Sequence, residues 1–147
     1  MVGAKLLIEA PDAVQKMHEI YLEAGADCIT SATYPASLPG FLSRGLDEKE
    51  ARHLMGEATR LAVAARDEFW QKHDPPTDRI RTVVAASVGP YGAVLACDSI
   101  PNVAAVGINC TSPLHISSLL AIAKEHTTKP IIVYPNLGNR FDPVSKT

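Results

Sequence analysis

The sequence predicts an α/β protein built on a parallel sheet, and three observations carry that prediction. The apolar runs Thr82–Val88 and Val103–Ile108 do not alternate with polar residues, the pattern of strands buried on both faces of a parallel sheet. Such runs alternate with stretches of helical periodicity, which makes βα units. The interval from Val103 to Ile131 is 28 residues, a normal βα repeat.

The elements follow in chain order. Pro11 suits a first helical turn and Asp12 complements its dipole, so a helix is expected to start there. Val14, Met17, Tyr21 and Ala24 recur at spacings of three and four and predict its apolar face. Gly25 can end it in a left-handed conformation. Cys28–Thr30 is then a short buried strand. The stretch from Ala32 to Gly45, rich in proline, glycine and serine, reads as a loop. A long helix runs from Asp47 to about Trp70, with Ala51, Leu54, Met55, Ala58, Leu61, Ala62, Ala65 and Phe69 as its stripe. Strands follow at Thr82–Val88 and Val103–Ile108, a helix from Leu114 to about His126, and a last strand at Pro130–Tyr134.

One interval is short. Only 20 residues separate Val83 from Val103, close to the minimum for a crossover. Its glycine and prolines leave room for two helical turns, Ala93 to Ser99. The spacing reads as pieces of a larger α/β array.

Bulk properties narrow the function. The chain has 147 residues, 46% hydrophobic and 20% charged, with a net charge of −2. That is enough for one sizeable core and gives no reason to expect nucleic acid or an anionic membrane as partner. No apolar stretch reaches membrane-spanning length, and the N-terminal run is too short for a signal peptide, so a cytoplasmic protein is expected. Three widely spaced cysteines, Cys28, Cys97 and Cys110, argue against a disulfide framework. Gly89 and Gly92 do not complete a dinucleotide fingerprint. None of the five histidines pairs at i, i+4.

In parallel α/β architectures, functional groups gather where strands end. The residues there are Thr30, Ser31 and Tyr34, then Ser87, Gly89 and Tyr91, then Asn109, Cys110, Thr111 and Ser112, then Tyr134, Asn136 and Gly138. Polar, small and aromatic, they suit a small-molecule pocket. Cys110 is the one soft ligand or strong nucleophile among them. Taken alone it reads as a small buried hydrophobe, as a nucleophile partnered by His115, or as a metal ligand.

The segments "AKLLIEAPDAVQKMHEIYLEAGADCITSATYPASLPGF", "VVAASVGPYGA" and "VAAVGINCTSP…TTKPIIVYPNLG" resemble the homocysteine S-methyltransferase family. The resemblance extends over nearly the whole chain and implies a (β/α)8 TIM barrel that binds zinc and homocysteine. It makes Cys110 a zinc ligand and Thr30, Ser31, Tyr34, Ser87, Asn109 and Asn136 candidate substrate-binding residues. The implied reaction moves a methyl group from a sulfonium donor, S-methylmethionine or S-adenosylmethionine, to zinc-bound homocysteine, giving methionine.

The resemblance also predicts gaps. The family's first strand should precede Ala4, two further strands should lie near Ala96 and Cys97, and the strand bearing a Gly-Gly-Cys-Cys segment should follow Thr147. Neither Cys28 nor Cys97 stands where those two zinc-binding cysteines would. The expectation is therefore a partial barrel with about half its strands, a single incomplete homocysteine-binding domain over residues 1–147. Its zinc site is incomplete and its activity impaired. Its alternative is a non-catalytic remnant that binds a thiol amino acid weakly, self-associates or pairs with a full-length relative.

Overall fold

The computed structural model describes residues 2–33, 41–42, 45–73, 79–88 and 100–136. The elements in order are α1 (Val2–Glu9), α2 (Pro11–Glu23), β1 (Cys28–Thr30), α3 (Glu48–Lys72), β2 (Val83–Val88), β3 (Val103–Asn109), a 3-10 turn (Pro113–His115), α4 (Ile116–His126) and β4 (Ile131–Tyr134). The four strands form one sheet in the order β1-β2-β3-β4, and every neighbouring pair is parallel. All strands therefore end on the same side.

Helix α3 is set by its first turn and its stripe. Asp47 accepts a hydrogen bond from the Glu50 backbone N–H at 2.8 Å, and the Glu50 carboxylate accepts one from the Asp47 N–H at 2.8 Å. This reciprocal pair satisfies two amide donors that the helix itself leaves free. Ala51, Met55, Ala58, Ala62, Ala65 and Phe69 are buried as the spacing predicts. The alanines let α3 lie close on the sheet. Met55 packs with Val103 and Val106, and Ala62 and Ala65 pack with Ile29 and Val84. Arg66 is buried too. It pairs with Asp67 at 2.7 Å and donates to the Asn102 carbonyl at 3.2 Å, tying α3 to the turn before β3. On the far side, Ile108 packs with Leu119 and Ala123 of α4.

Four expectations need correction or addition. Helix α1 was not expected; it is too short to stand alone but is held by Leu7 packing on Val14 and Ala58. In α2 the buried face is Val14, His18 and Leu22, while Met17 and Tyr21 are exposed. Of the predicted stripe Val14 is buried as expected while Met17, Tyr21 and Ala24 are exposed, so the buried face turns toward His18 and Leu22 instead. Cys28 and Thr30 are exposed and only Ile29 is buried, so β1 is not the buried strand expected. Its side chains alternate between a helix-covered face and an open one. For the same reason Val83, Ile132 and Tyr134 are substantially exposed. Among the described residues, helices cover one face of the sheet only.

Gly25 follows α2 with a φ of +96°, the left-handed stop that the sequence suggested. The suggested short helix at Ala93–Ser99 and most of the loop after Ala32 lie outside the described residues. Among the described residues, no helix is long and apolar enough to cross a membrane.

Candidate active site at the strand ends

Register places the candidate residues. On the open face of the sheet Thr30 lies beside Ala85 and Ala85 beside Ala105. One row further on, Ser87 lies beside Gly107 and Gly107 beside Ile132. Asn109 then lies beside Tyr134. The face is small in its middle and carries no charged side chain.

At the C-terminal ends a polar network joins three strands. The Ser31 N–H donates to the Ala85 carbonyl at 3.0 Å. Its hydroxyl oxygen accepts from the Ser87 N–H at 3.0 Å and lies 2.8 Å from the Thr33 hydroxyl. Thr33 in turn donates to the Ser87 carbonyl, which leaves Ser31 donating to Thr33. The Asn109 side-chain amide donates to the Ser87 hydroxyl. Ser31, Thr33 and Ser87 are buried, so these bonds act in a low-dielectric setting where each group needs its partner. The Asn109 Oδ1 atom is buried with no partner among the described residues.

Cys110 comes next. Its N–H donates to the Tyr134 carbonyl at 2.9 Å, and the Asn136 N–H donates to the Thr111 carbonyl at 3.0 Å, so β3 and β4 leave the sheet side by side. The Cys110 φ is +49°. Only glycine takes this left-handed region freely, so a cysteine here stores backbone strain of about 1–3 kcal/mol. The thiol is partly buried. His115, the suggested nucleophile partner, sits exposed in the 3-10 turn.

Two cavities meet at these residues. One, of about 550 Å³, is lined by Thr30, Ser31, Ser87 and Asn109 together with His18 and Cys28. The other, of about 340 Å³, lies on the open face and shares Cys28, Thr30, Ser87 and Asn109 with the first. Of the six candidate substrate residues, Thr30, Ser31, Ser87 and Asn109 come together here. Asn136 is exposed and reaches the group through its backbone. Tyr34, Gly89, Tyr91, Cys97 and Gly138 lie outside the described residues.

The sequence reading missed two residues. Thr33 joins the network, and the only sign was a hydroxyl three residues past the strand. His18 is 2% exposed, its Nε2 has no partner among the described residues, and burial pushes its pKa below the ordinary value. Its position four residues from both Val14 and Leu22 was a legible sign of burial. Cys28 is exposed by surface area, and partial desolvation pushes its thiol pKa up.

The sequence pattern of the family described as homocysteine S-methyltransferase matches residues 2–103 and 96–147. The chain belongs to the homocysteine S-methyltransferase family. It is 31% identical over 230 residues to homocysteine S-methyltransferase YbgG of Bacillus subtilis (strain 168), covering 99% of this chain and 73% of that protein. It is 47% identical over 96 residues to homocysteine S-methyltransferase 1 of Brassica oleracea var. italica, covering 64% of this chain and 29% of that one. Among solved structures it is similar to the homocysteine methyltransferase MmuM from Escherichia coli in its metallated form. The TM-score is 0.56 at 23% identity, covering 98% of this chain and 78% of that one, a likeness of fold.

The 230 residues aligned with the Bacillus relative exceed the 147 of this chain, so that homocysteine S-methyltransferase carries internal sequence that this chain does not. The two family matches meet at residues 96–103, inside the interval that is short by strand spacing.

Proposed function

We propose that the strand-end site descends from, and retains part of, a centre that transfers a methyl group from a sulfonium donor to homocysteine, giving methionine. S-methylmethionine and S-adenosylmethionine are the donors of the right chemistry. The homocysteine sulfur would lose its proton and attack the methyl carbon, while the carbon–sulfonium bond breaks and leaves a neutral thioether on the donor. The observation that carries this reading is Cys110: a strained cysteine at the end of a family-matched strand, one residue past Asn109 and its unpaired acceptor. Thr30, Ser31, Ser87 and Asn109 are the described residues proposed to bind the substrate, with Asn136 and Tyr34 proposed beside them. The 147 residues are proposed to act as one homocysteine-binding domain, a partial (β/α)8 barrel. The all-parallel sheet with strands in chain order supports that reading.

Zinc is the metal this reading implies, and the described residues do not make its site. Among them, no group of three or more His, Cys, Asp or Glu could hold a metal ion. Cys28 is level with Val83 at the start of the sheet, while Cys110 lies two residues beyond the pair of Ile108 with Val88. That separates the two thiols by about 20 Å along the strands. Structural and catalytic zinc sites use three or four protein ligands, and Cys110 supplies one. Without a tightly held cation, homocysteine stays mostly protonated at neutral pH, since a free thiol has a pKa near ~8.5. The 147-residue chain is therefore proposed to turn over slowly or not at all. The lack of a ligand cluster favours a second reading, a non-catalytic module that binds a thiol amino acid weakly.

The test is calorimetric titration of the chain with homocysteine, beside Asn109→Ala and Ser87→Ala variants. Weak binding that both variants abolish supports the site. Binding unchanged by both would overturn it.

A further inference from the structure

Strand β1 ends at Thr30, yet its neighbour β2 runs on to Val88. Where the two share a ladder, the Val83 N–H donates to the Asp27 carbonyl and the Ser31 N–H to the Ala85 carbonyl, each at 3.0 Å. Alternate residues of a strand bond to the same neighbour, so Ser87 also turns its N–H and its carbonyl toward β1. A continued ladder would meet them with the Ser31 carbonyl and the Thr33 N–H. The hydroxyls of those same two residues take both places. The Ser87 N–H donates to Ser31 Oγ at 3.0 Å, and Thr33 Oγ1 donates to the Ser87 carbonyl. The chain thus leaves the sheet after Thr30 while both backbone groups of Ser87 stay held.

Asn109 in turn leans on Ser87, because its side-chain amide donates to the Ser87 hydroxyl. Gly107 is the register partner of Ser87 and lies two residues before Asn109 on the same face, so no side chain stands between them. Cys110 follows directly. Ser87 and Asn109 line both cavities, whereas Thr33 is 0% exposed and is in the wall of neither.

We propose that Thr33 is a positioning residue of this site. Through the Ser87 carbonyl it fixes the Ser87 hydroxyl, and through that hydroxyl it fixes the Asn109 carboxamide beside Cys110. The proposal rests on the strand-end cluster being the homocysteine site, and in it Thr33 acts without touching the substrate. Its hydroxyl donates to Ser87 and accepts from Ser31, so removing it breaks two buried bonds at once. Buried polar groups left without partners are costly and reorient to find others. The Ser87 peptide then turns, and the Asn109 amide turns with it.

Nuclear magnetic resonance of the 147-residue chain tests this, with the Asn109 side-chain amide identified by its loss in Asn109→Ala. Thr33→Val keeps the shape and removes the hydroxyl. It is expected to shift the Asn109 side-chain amide and to weaken homocysteine binding by about fivefold or more, and Thr33→Ser to restore both. Thr33→Ala serves if the valine variant does not fold. Thr59→Val is the control, since Thr59 is also buried and its hydroxyl donates to the Met55 carbonyl within α3. It should lower stability yet leave the Asn109 resonance and the affinity in place. An Asn109 amide that loss of the Thr33 hydroxyl does not move would overturn the proposal. So would one that Thr59→Val moves equally, or one that serine does not restore. If Asn109 moves as expected while the chain binds no homocysteine, the positioning stands and the reading of the cluster as a homocysteine site fails.

Discussion

Cys110, the proposed ligand, sits on an unfavourable backbone. At a φ of +49°, glycine would relieve the strain and alanine would not. Cys110→Gly is expected to raise stability by about 0.5–1 kcal/mol and Cys110→Ala to leave it unimproved, read from urea midpoints. A loss of stability in the glycine variant would mean that the cysteine side chain itself holds the turn. His18 makes a second residue-scale prediction. Its folded pKa lies below its unfolded value of about 6.5, because burial disfavours the imidazolium. Above that value His18 is neutral in both states and its contribution is fully present. As pH falls below it, the unfolded chain takes up the proton more readily and stability is lost. Replacing His18→Leu should flatten this acid limb below about pH 6.5, and an unchanged limb would show that other groups cause it.

At the scale of elements, the Asp47–Glu50 box should be measurable on its own. Asp47→Ala is expected to cost about 1 kcal/mol of unfolding free energy, and a change below a few tenths would show that packing alone fixes where α3 starts. What the sequence disclosed at this scale follows from physical distinctness. Strands β2 and β3 were legible because continuous Val, Ala and Ile runs have few other uses, and α3 because a 25-residue stripe repeats many times. Helix α1 was hidden, since eight residues carry too little periodicity and its stability comes from where Leu7 lands. The face of α2 was only partly legible because Met17 and Tyr21 look like core by hydropathy, and only the fold shows that among the described residues they stay 41% and 59% exposed. The same holds for β1: alternate exposure of Cys28 and Thr30 depends on which face the helices cover.

At the scale of the molecule, the strand-end cluster was legible because a parallel sheet sends Thr30, Ser87, Asn109 and Tyr134 to one side. The bonding within it was not, since the Ser31–Thr33–Ser87 links depend on register rather than on residue type. The homocysteine S-methyltransferase family match and the single cysteine at the described strand ends then make opposite demands. The proposed chemistry calls for a bound cation, and among the described residues no group of three or more His, Cys, Asp or Glu could hold one. The most direct test is zinc content, measured with methionine formation, for the purified 147-residue chain and for the Bacillus relative in parallel. The account predicts zinc far below one per chain and little or no methionine from homocysteine with S-methylmethionine or S-adenosylmethionine, while the relative shows both. One tightly held zinc per chain, removed by Cys110→Ala and accompanied by steady methionine production, would contradict it.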